Sequence, residues 1–165
     1  MRKEERRTVL LNLNDLITAT LGLLHFELMN RKIRVEIHLE IDLPPISGDA
    51  VQLQQALLNL LMNAMEATAS MPPLERMLSI GTRSTQNGSV EVSIIDRGPG
   101  MSPDQLKRVF EPYFTTKEHG LGLGLSICST IVKSHHGQID LSNAAGGGVT
   151  AVVSLPAAIQ LAAAS

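Results

Sequence analysis

The sequence predicts an α+β domain in two layers, a mixed, mostly antiparallel sheet of about five strands with three main helices on one face. Three observations predict it. Residues 14–29, 49–69 and 122–135 carry apolar side chains at helical spacing. Five shorter stretches, residues 33–41, 76–85, 89–96, 138–142 and 149–155, read as strands. These elements do not alternate strand and helix throughout. Strands follow strands, so that neighbours pair and the helices collect on one face of the sheet. At 165 residues and 44% hydrophobic, the chain suits a single core able to bury about two-thirds of its unfolded surface.

Taken in order, the charged run Arg2-Lys3-Glu4-Glu5-Arg6-Arg7 reads as the end of a solvated helix. Asn14 is the expected N-cap of the first helix, in which Leu16, Ile17, Leu21, Leu23, Leu24 and Leu28 recur at helical spacing. Ile33, Val35, Ile37, Leu39 and Ile41 then alternate with Arg34, Glu36, His38 and Glu40, the pattern of a half-buried strand with His38 on its solvated face. Pro44-Pro45 ends it. Asp49 opens the second helix, which Met71-Pro72-Pro73 stops. The next two strands flank Gln86-Asn87-Gly88, and Asn-Gly is a strong hairpin signal, so they should pair antiparallel. Residues 97–119 read as a long loop with one helical turn near Pro103 to Phe110, and loops of that length are usually functional lids. A third helix, a strand, the turn Gly146-Gly147-Gly148 and a last strand complete the domain, and the Ala-rich residues 157–165 read as a frayed tail.

Composition excludes several classes of function. A net charge of −2 with no Trp, one Tyr and three Phe argues against a nucleic-acid groove, which wants a basic stripe and stacking platforms. The single cysteine, Cys128, allows neither an internal disulfide nor a zinc cluster; it reads as a small core residue and favours a cytoplasmic location. Residues 9–28 are fairly apolar but interrupted by Asn12, Asn14, Asp15, His25 and Glu27, which argues against both a signal sequence and a membrane span; no membrane contact by this domain is expected.

Two glycine clusters point to a ligand. One is Asp96-Arg97-Gly98-Pro99-Gly100; the other, Gly120-Leu121-Gly122-Leu123-Gly124-Leu125-Ser126, opens the third helix. Alternate glycines let the backbone approach a ligand and expose N–H donors, and a helix N-terminus behind them favours negative charge, so the pair suits phosphates. The second helix supplies a further signal. It is apolar nearly all round and expected to be mostly buried, yet Gln55, Asn59 and Asn63 stand i, i+4, i+8, with Glu66 three later on the same side. Gln55 is expected to bond lid backbone or water. The neutral oxygen of Asn63 suits Mg²⁺, which takes few protein ligands and completes its octahedron with phosphate and water. Asn59, one turn earlier, could reach the same phosphates, whereas Glu66 is either a surface carboxylate or a group at the nucleotide's edge.

These residues resemble a known family. Asn59-Leu60-Leu61-Met62-Asn63-Ala64-Met65-Glu66-Ala67, Asp96-x-Gly98-x-Gly100, Phe110-Glu111-Pro112-Tyr113-Phe114-Thr115-Thr116-Lys117, Gly120-x-Gly122-Leu123-Gly124-Leu125-Ser126 and Gly148-Val149-Thr150 resemble, in order, the five sequence boxes of the catalytic ATP-binding domain of sensor histidine kinases. The resemblance runs from about Asn12 to Pro156 and implies the Bergerat ATP-binding fold, with residues 1–11 as the end of an upstream dimerisation helix or its linker. It implies that Asp96 accepts a hydrogen bond from the adenine amino group, with Thr150 supporting it, and that Gly98 and Gly100 pass beside the base. It also implies that Asn63 holds Mg²⁺ with Asn59 beside it, that Gly120 to Gly124 and the N–H groups of Leu121, Leu123 and Leu125 wrap the phosphates, and that Lys117 reaches the γ-phosphate. Phe110 and Phe114 would anchor the lid.

Two absences shape the expected mechanism. The phosphoacceptor motif of these kinases is missing; His25 lacks the following proline, and His119, His135 and His136 fall in the lid or at a helix end. The histidine that receives the phosphoryl group would therefore lie on a separate dimerisation domain, with a response regulator downstream, and the fragment itself is expected to be monomeric. In hydrolytic relatives a glutamate stands four residues before the metal-binding Asn. Here Asn59 occupies that position and cannot act as a general base, so slow intrinsic hydrolysis is expected.

Overall fold

In the computed structural model, residues 7–114 and 124–159 are described. Strand β1 (Val9–Leu11) is followed by α1 (Leu13–Asn30), β2 (Arg34–His38), β3 (Ile46–Gly48) and α2 (Ala50–Ala69). The hairpin β4 (Met77–Ser84) and β5 (Ser89–Asp96), the short α3 (Pro103–Arg108), α4 (Gly124–Ser134), β6 (Gln138–Asn143) and β7 (Val149–Pro156) complete it. The main sheet has five strands in the order β2-β4-β5-β7-β6, with β2 parallel to β4 and the other pairs antiparallel. The expected two-layer α+β fold is the one observed.

Helix α2 is the centre of the helical layer, packing on α1, α4 and the central strands β4 and β5. Its Asp49 cap accepts N–H bonds from Val51 and Gln52, satisfying donors that the first turn leaves unpaired. Strands β5 and β7 alternate strictly between buried and half-buried positions, so one face of the sheet carries Val90, Val92, Ile94, Val153 and Leu155 into the core. Those chains meet Leu53, Leu57, Leu60 and Leu61 of α2. Cys128 is fully buried in that layer, its thiol 3.6 Å from the Ala56 carbonyl, and burial pushes the thiol up to about 12. It is a core residue, as its position on an apolar helix face predicts.

Several local expectations are corrected. Asn12, not Asn14, caps α1; its side chain accepts the Asn14 N–H. Asn14 lies inside the helix, where Nδ2 donates to the Glu40 carbonyl and Oδ1 accepts from the Thr82 hydroxyl, tying α1 to β4. Residues 9–11, in the segment expected to end a helix or form a linker, are a strand pairing antiparallel with β3 as a separate two-stranded sheet. The tail does not fray at once: Ala157 is buried and bridges Ile46, and Ala158 N–H donates to the Pro45 carbonyl. Strand β2 is shorter than its alternating pattern and lies at the sheet edge, which leaves Ile37 half-exposed and Ile41 87% exposed.

Helix α2 is also less enclosed than its composition suggests. Val51, Gln55, Met62 and Glu66 are exposed along one stripe, with Asn59 and Asn63 half-buried beside it. The polar row is therefore the open side of the helix and not a buried ladder.

Candidate functional site

The open side of α2 forms one wall of a cavity of about 860 Å³, within the range of about 300–1,000 Å³ typical of ligand pockets. Its floor is apolar, made by Leu60 and Ala64 of α2, Ile94 of β5, and Val149 and Ala151 of β7. The mouth carries Asn59, Asn63 and Glu66 on one side and Gly124 and Leu125, the start of α4, on another. Pro99, Gly100 and Met101, just beyond β5, close a third.

Asp96 is the charged group set deepest in this cavity wall, at 5% exposure. It ends β5 on the core-facing side. Its Oδ1 accepts the N–H of Gly98 at 2.9 Å and of Val149 at 3.1 Å. Among the described residues both bonds fall on Oδ1, which leaves Oδ2 to a ligand. Desolvation raises the carboxyl's pKa above its ordinary value, and the two backbone N–H groups pull the other way. An oriented acceptor at the end of an apolar slot fits a flat heterocycle bearing an amino donor.

The glycines around Asp96 are fixed by protein contacts. A Cβ at Gly98 would stand 2.9 Å from the Ala67 carbonyl oxygen, so Gly98 is what lets the chain cross α2. Gly100 has φ +77° and Gly148 φ +86°, conformations that L side chains rarely adopt. A Cβ at Gly148 would also run into the Asp96 carbonyl. This side of the cavity is thus a collar of backbone packed around one carboxylate.

At the other side, Asn59 Nδ2 donates to the Gly124 carbonyl at 3.2 Å, and the Asn63 amide nitrogen lies 3.9 Å from where a Cβ on Gly124 would stand. Both asparagines therefore meet the first turn of α4, and a helix N-terminus favours an anion through its dipole and N–H groups. No group of three or more His, Cys, Asp or Glu side chains that could hold a metal occurs among the described residues. A cation here would draw on one amide oxygen together with phosphate and water, a donor set that fits Mg²⁺ and not zinc.

Of the sequence-predicted residues, the fold brings Asn59, Asn63, Glu66, Asp96, Gly100, Gly124 and Leu125 to one cavity. Gly98 lies behind its rim. Thr150 is not brought there: it pairs with Ile95, on the opposite face of β7 from Val149 and Ala151. The group that supports Asp96 is the Val149 N–H. Lys117, Gly120, Leu121, Gly122, Leu123 and His119 lie outside the described residues. Of the lid anchors, Phe114 lines the cavity beneath the Arg108 guanidinium, 4.6 Å from its ring centre, whereas Phe110 packs against the hydrophobic core. Sequence reasoning missed Ile94, Met101, Gln105 and Leu141, none of which belongs to a polar row or glycine cluster.

The remaining histidines are placed as expected. His25 is exposed on α1, and His136 follows the end of α4. His135 is buried; its Nε2 accepts the Asp49 N–H at 3.0 Å and Nδ1 faces the Ile131 carbonyl at 2.8 Å, so its ring nitrogens are engaged in holding α4 to the start of α2.

Residues 48–159 match the family model described as histidine kinase-, DNA gyrase B-, and HSP90-like ATPase. Over 146 residues the chain is 38% identical to the sensor protein TdiS of Thauera aromatica, covering 88% of this chain and 27% of that protein. It is 35% identical over 145 residues to the sensor histidine kinase ZraS of Salmonella typhimurium, covering 88% and 30%. The chain thus spans less than a third of these curated relatives. Among solved structures, the catalytic domain of histidine kinase ThkA, in a nucleotide-free form, superposes with a TM-score of 0.82 at 30% identity, covering 92% of this chain and 97% of that one. Full-length ShkA in complex with AMPPNP gives 0.81 at 27% identity, covering 93% and 32%.

Proposed function

Because the chain belongs to the histidine kinase-, DNA gyrase B- and HSP90-like ATPase family, we propose that it is the ATP-binding catalytic portion of a sensor protein-histidine kinase. It holds Mg-ATP for phosphoryl transfer to a histidine on a separate dimerisation domain in a two-component signalling system. The observation that carries this reading is the pairing within one cavity of a buried carboxylate, Asp96, with the asparagines of α2 at the start of α4. The relative named as the sensor histidine kinase ZraS, the one named as the sensor protein TdiS, and the neighbour ThkA solved in complex with the response regulator TrrA support the wider assignment.

In this reading the adenine enters the apolar slot, donates its amino hydrogen to Asp96 Oδ2 and is held flat by Ile94, Ala64 and Ala151. Asn63 supplies the protein oxygen to Mg²⁺, and Asn59 keeps Gly124 beside the phosphates. Bound Mg²⁺ neutralises phosphate charge. The incoming imidazole nitrogen forms a P–N bond as the bond from the γ-phosphorus to the bridging oxygen breaks and ADP leaves; catalysis is mainly positioning and charge stabilisation. The phosphoryl group then passes to a response regulator. Glu66 sits at the ribose edge, Lys117 meets the γ-phosphate, and Gly120, Leu121, Gly122 and Leu123 belong to the phosphate wrap. Thr150 has no part in it.

Hydrolysis is slow because Asn59, which stands where a water-activating glutamate would be needed, has no basic group and bonds to Gly124 instead. The domain works in the cytoplasm, where ATP is found, within a protein whose other parts can be anchored in a membrane. No helix among the described residues is long and apolar enough to cross one. The testing experiment is calorimetric binding of AMP-PNP with and without Mg²⁺, followed by phosphorylation of a supplied dimerisation domain in trans. Binding at micromolar concentrations and an acid-labile phosphohistidine product support the proposal, and absence of nucleotide binding refutes it.

A further inference from the structure

The loop after β5 is pinned at two points. Asp96 holds the Gly98 N–H, and three residues on, the Asn143 side chain pairs with both backbone groups of Met101. Asn143 Oδ1 accepts the Met101 N–H at 2.9 Å, and Nδ2 donates to the Met101 carbonyl at 2.7 Å. One planar side chain thereby reproduces the two-bond pairing of an antiparallel strand. Pro99 and Gly100, between the pins, line the cavity together with Met101. Gly100 is held at φ +77°, with Asn143 Oδ1 only 3.0 Å from where its Cβ would be.

Among the described residues, this segment has little else to fix it once the second pin is removed. Gly100 is the most permissive residue type, and the next helix, α3, has six residues and buries none of them. Asn143 stands at the end of edge strand β6 and is itself exposed, so it adds little to the core. Its two bonds act on the loop.

We propose that Asn143 is a positioning residue for nucleotide binding: it holds the Pro99–Gly100–Met101 wall in its binding-competent form against the base beside Asp96. This rests on the nucleotide reading given above. When only a fraction of molecules has the wall formed, apparent affinity falls by that fraction. A pin of two exposed hydrogen bonds contributes about 1–2 kcal/mol, or roughly 5- to 30-fold in the equilibrium between formed and unformed wall, and affinity falls by close to that factor because the unpinned Gly100 segment is mostly unformed.

The test uses the wild-type chain and the variants Asn143→Ala and Asn143→Asp. Aspartate keeps the acceptor for the Met101 N–H but turns a carboxylate oxygen toward the Met101 carbonyl. The expected result is about tenfold weaker binding of ADP and of AMP-PNP, by the same factor because the contact is on the base side. Met101 N–H exchange should be faster in Asn143→Ala, with both variants melting within a few degrees of wild type. If Asn143→Ala binds ADP within about twofold of wild type, the role of Asn143 is overturned while the nucleotide reading stands. The same holds if the loss affects AMP-PNP alone. Wild type that binds neither nucleotide overturns both readings. Should Asn143→Ala melt far below wild type, Asn143→Asp decides: full affinity in a folded Asn143→Asp overturns the role, and a common loss for both nucleotides supports it.

Discussion

Replacing Asp96 by asparagine should separate folding from binding. Oδ1 of the wild-type side chain accepts two backbone N–H groups, from Gly98 and Val149, and an Asn carbonyl oxygen in that place accepts both. The amide nitrogen then replaces Oδ2 and faces the adenine amino group, donor against donor. Losing a hydrogen bond to a charged acceptor costs about 1.5–3 kcal/mol, so ADP should bind about 10- to 150-fold more weakly. Stability should move the other way. Desolvation raises the Asp96 pKa in the fold, so the folded state holds its proton more tightly than the unfolded chain. Wild type therefore loses stability as pH rises through the window from the ordinary carboxylate value of 3.8 to the raised folded value, and the neutral Asn variant does not. At pH 7 Asp96→Asn should be at least as stable as wild type, with that advantage disappearing as the pH falls below 3.8. Urea unfolding across pH and ADP calorimetry at pH 7 check the two halves. Unchanged ADP affinity would refute the adenine assignment, and a large loss of stability at pH 7 would refute the account of the buried charge.

Three further outcomes follow from the same geometry. Asn63→Ala should leave Mg²⁺-free ADP binding near the wild-type value while removing the increase that Mg²⁺ gives, and a full Mg²⁺ response in this variant would show that the ion is held elsewhere. Gly148→Ala combines a left-handed backbone cost of about 1–2 kcal/mol with overpacking of about 1–3 kcal/mol against the Asp96 backbone. Denaturant unfolding should show a loss of about 2–5 kcal/mol, whereas a loss below 1 kcal/mol would mean that the collar relaxes freely. Cys128, buried and with its thiol pushed up to about 12, should react with a disulfide reagent at pH 8 no faster than the domain opens. Rapid labelling of native protein would contradict its place between α4 and α2.

The parts of the fold legible in the sequence were those with a local signature. Asp49 caps α2 because its carboxylate reaches N–H groups two and three residues ahead, and the hairpin at Asn87-Gly88 closes because glycine takes φ +78° there. Neither depends on distant contacts. The pairing of Val9–Leu11 with Ile46–Gly48 was not legible, since three residues carry no measurable period. The cap of α1 is expected at Asn14 and found at Asn12: both residues suit the role, and Asn14 is drawn off by Glu40 and Thr82, far along the chain.

The sequence by itself determined the chemistry available: a row of amides on one helix, an acidic residue ahead of glycines, and a second glycine cluster opening a helix. Backbone period and residue type suffice for that. Only the tertiary structure decided which of these groups share a cavity. Strand side chains alternate faces, so one step of register separates Val149, whose N–H holds Asp96, from Thr150, which faces away. Asn143 is an ordinary strand-end residue until β6 is laid beside β7, which itself pairs with β5; that arrangement brings it to Met101, 42 residues away, and gives it a place in the site.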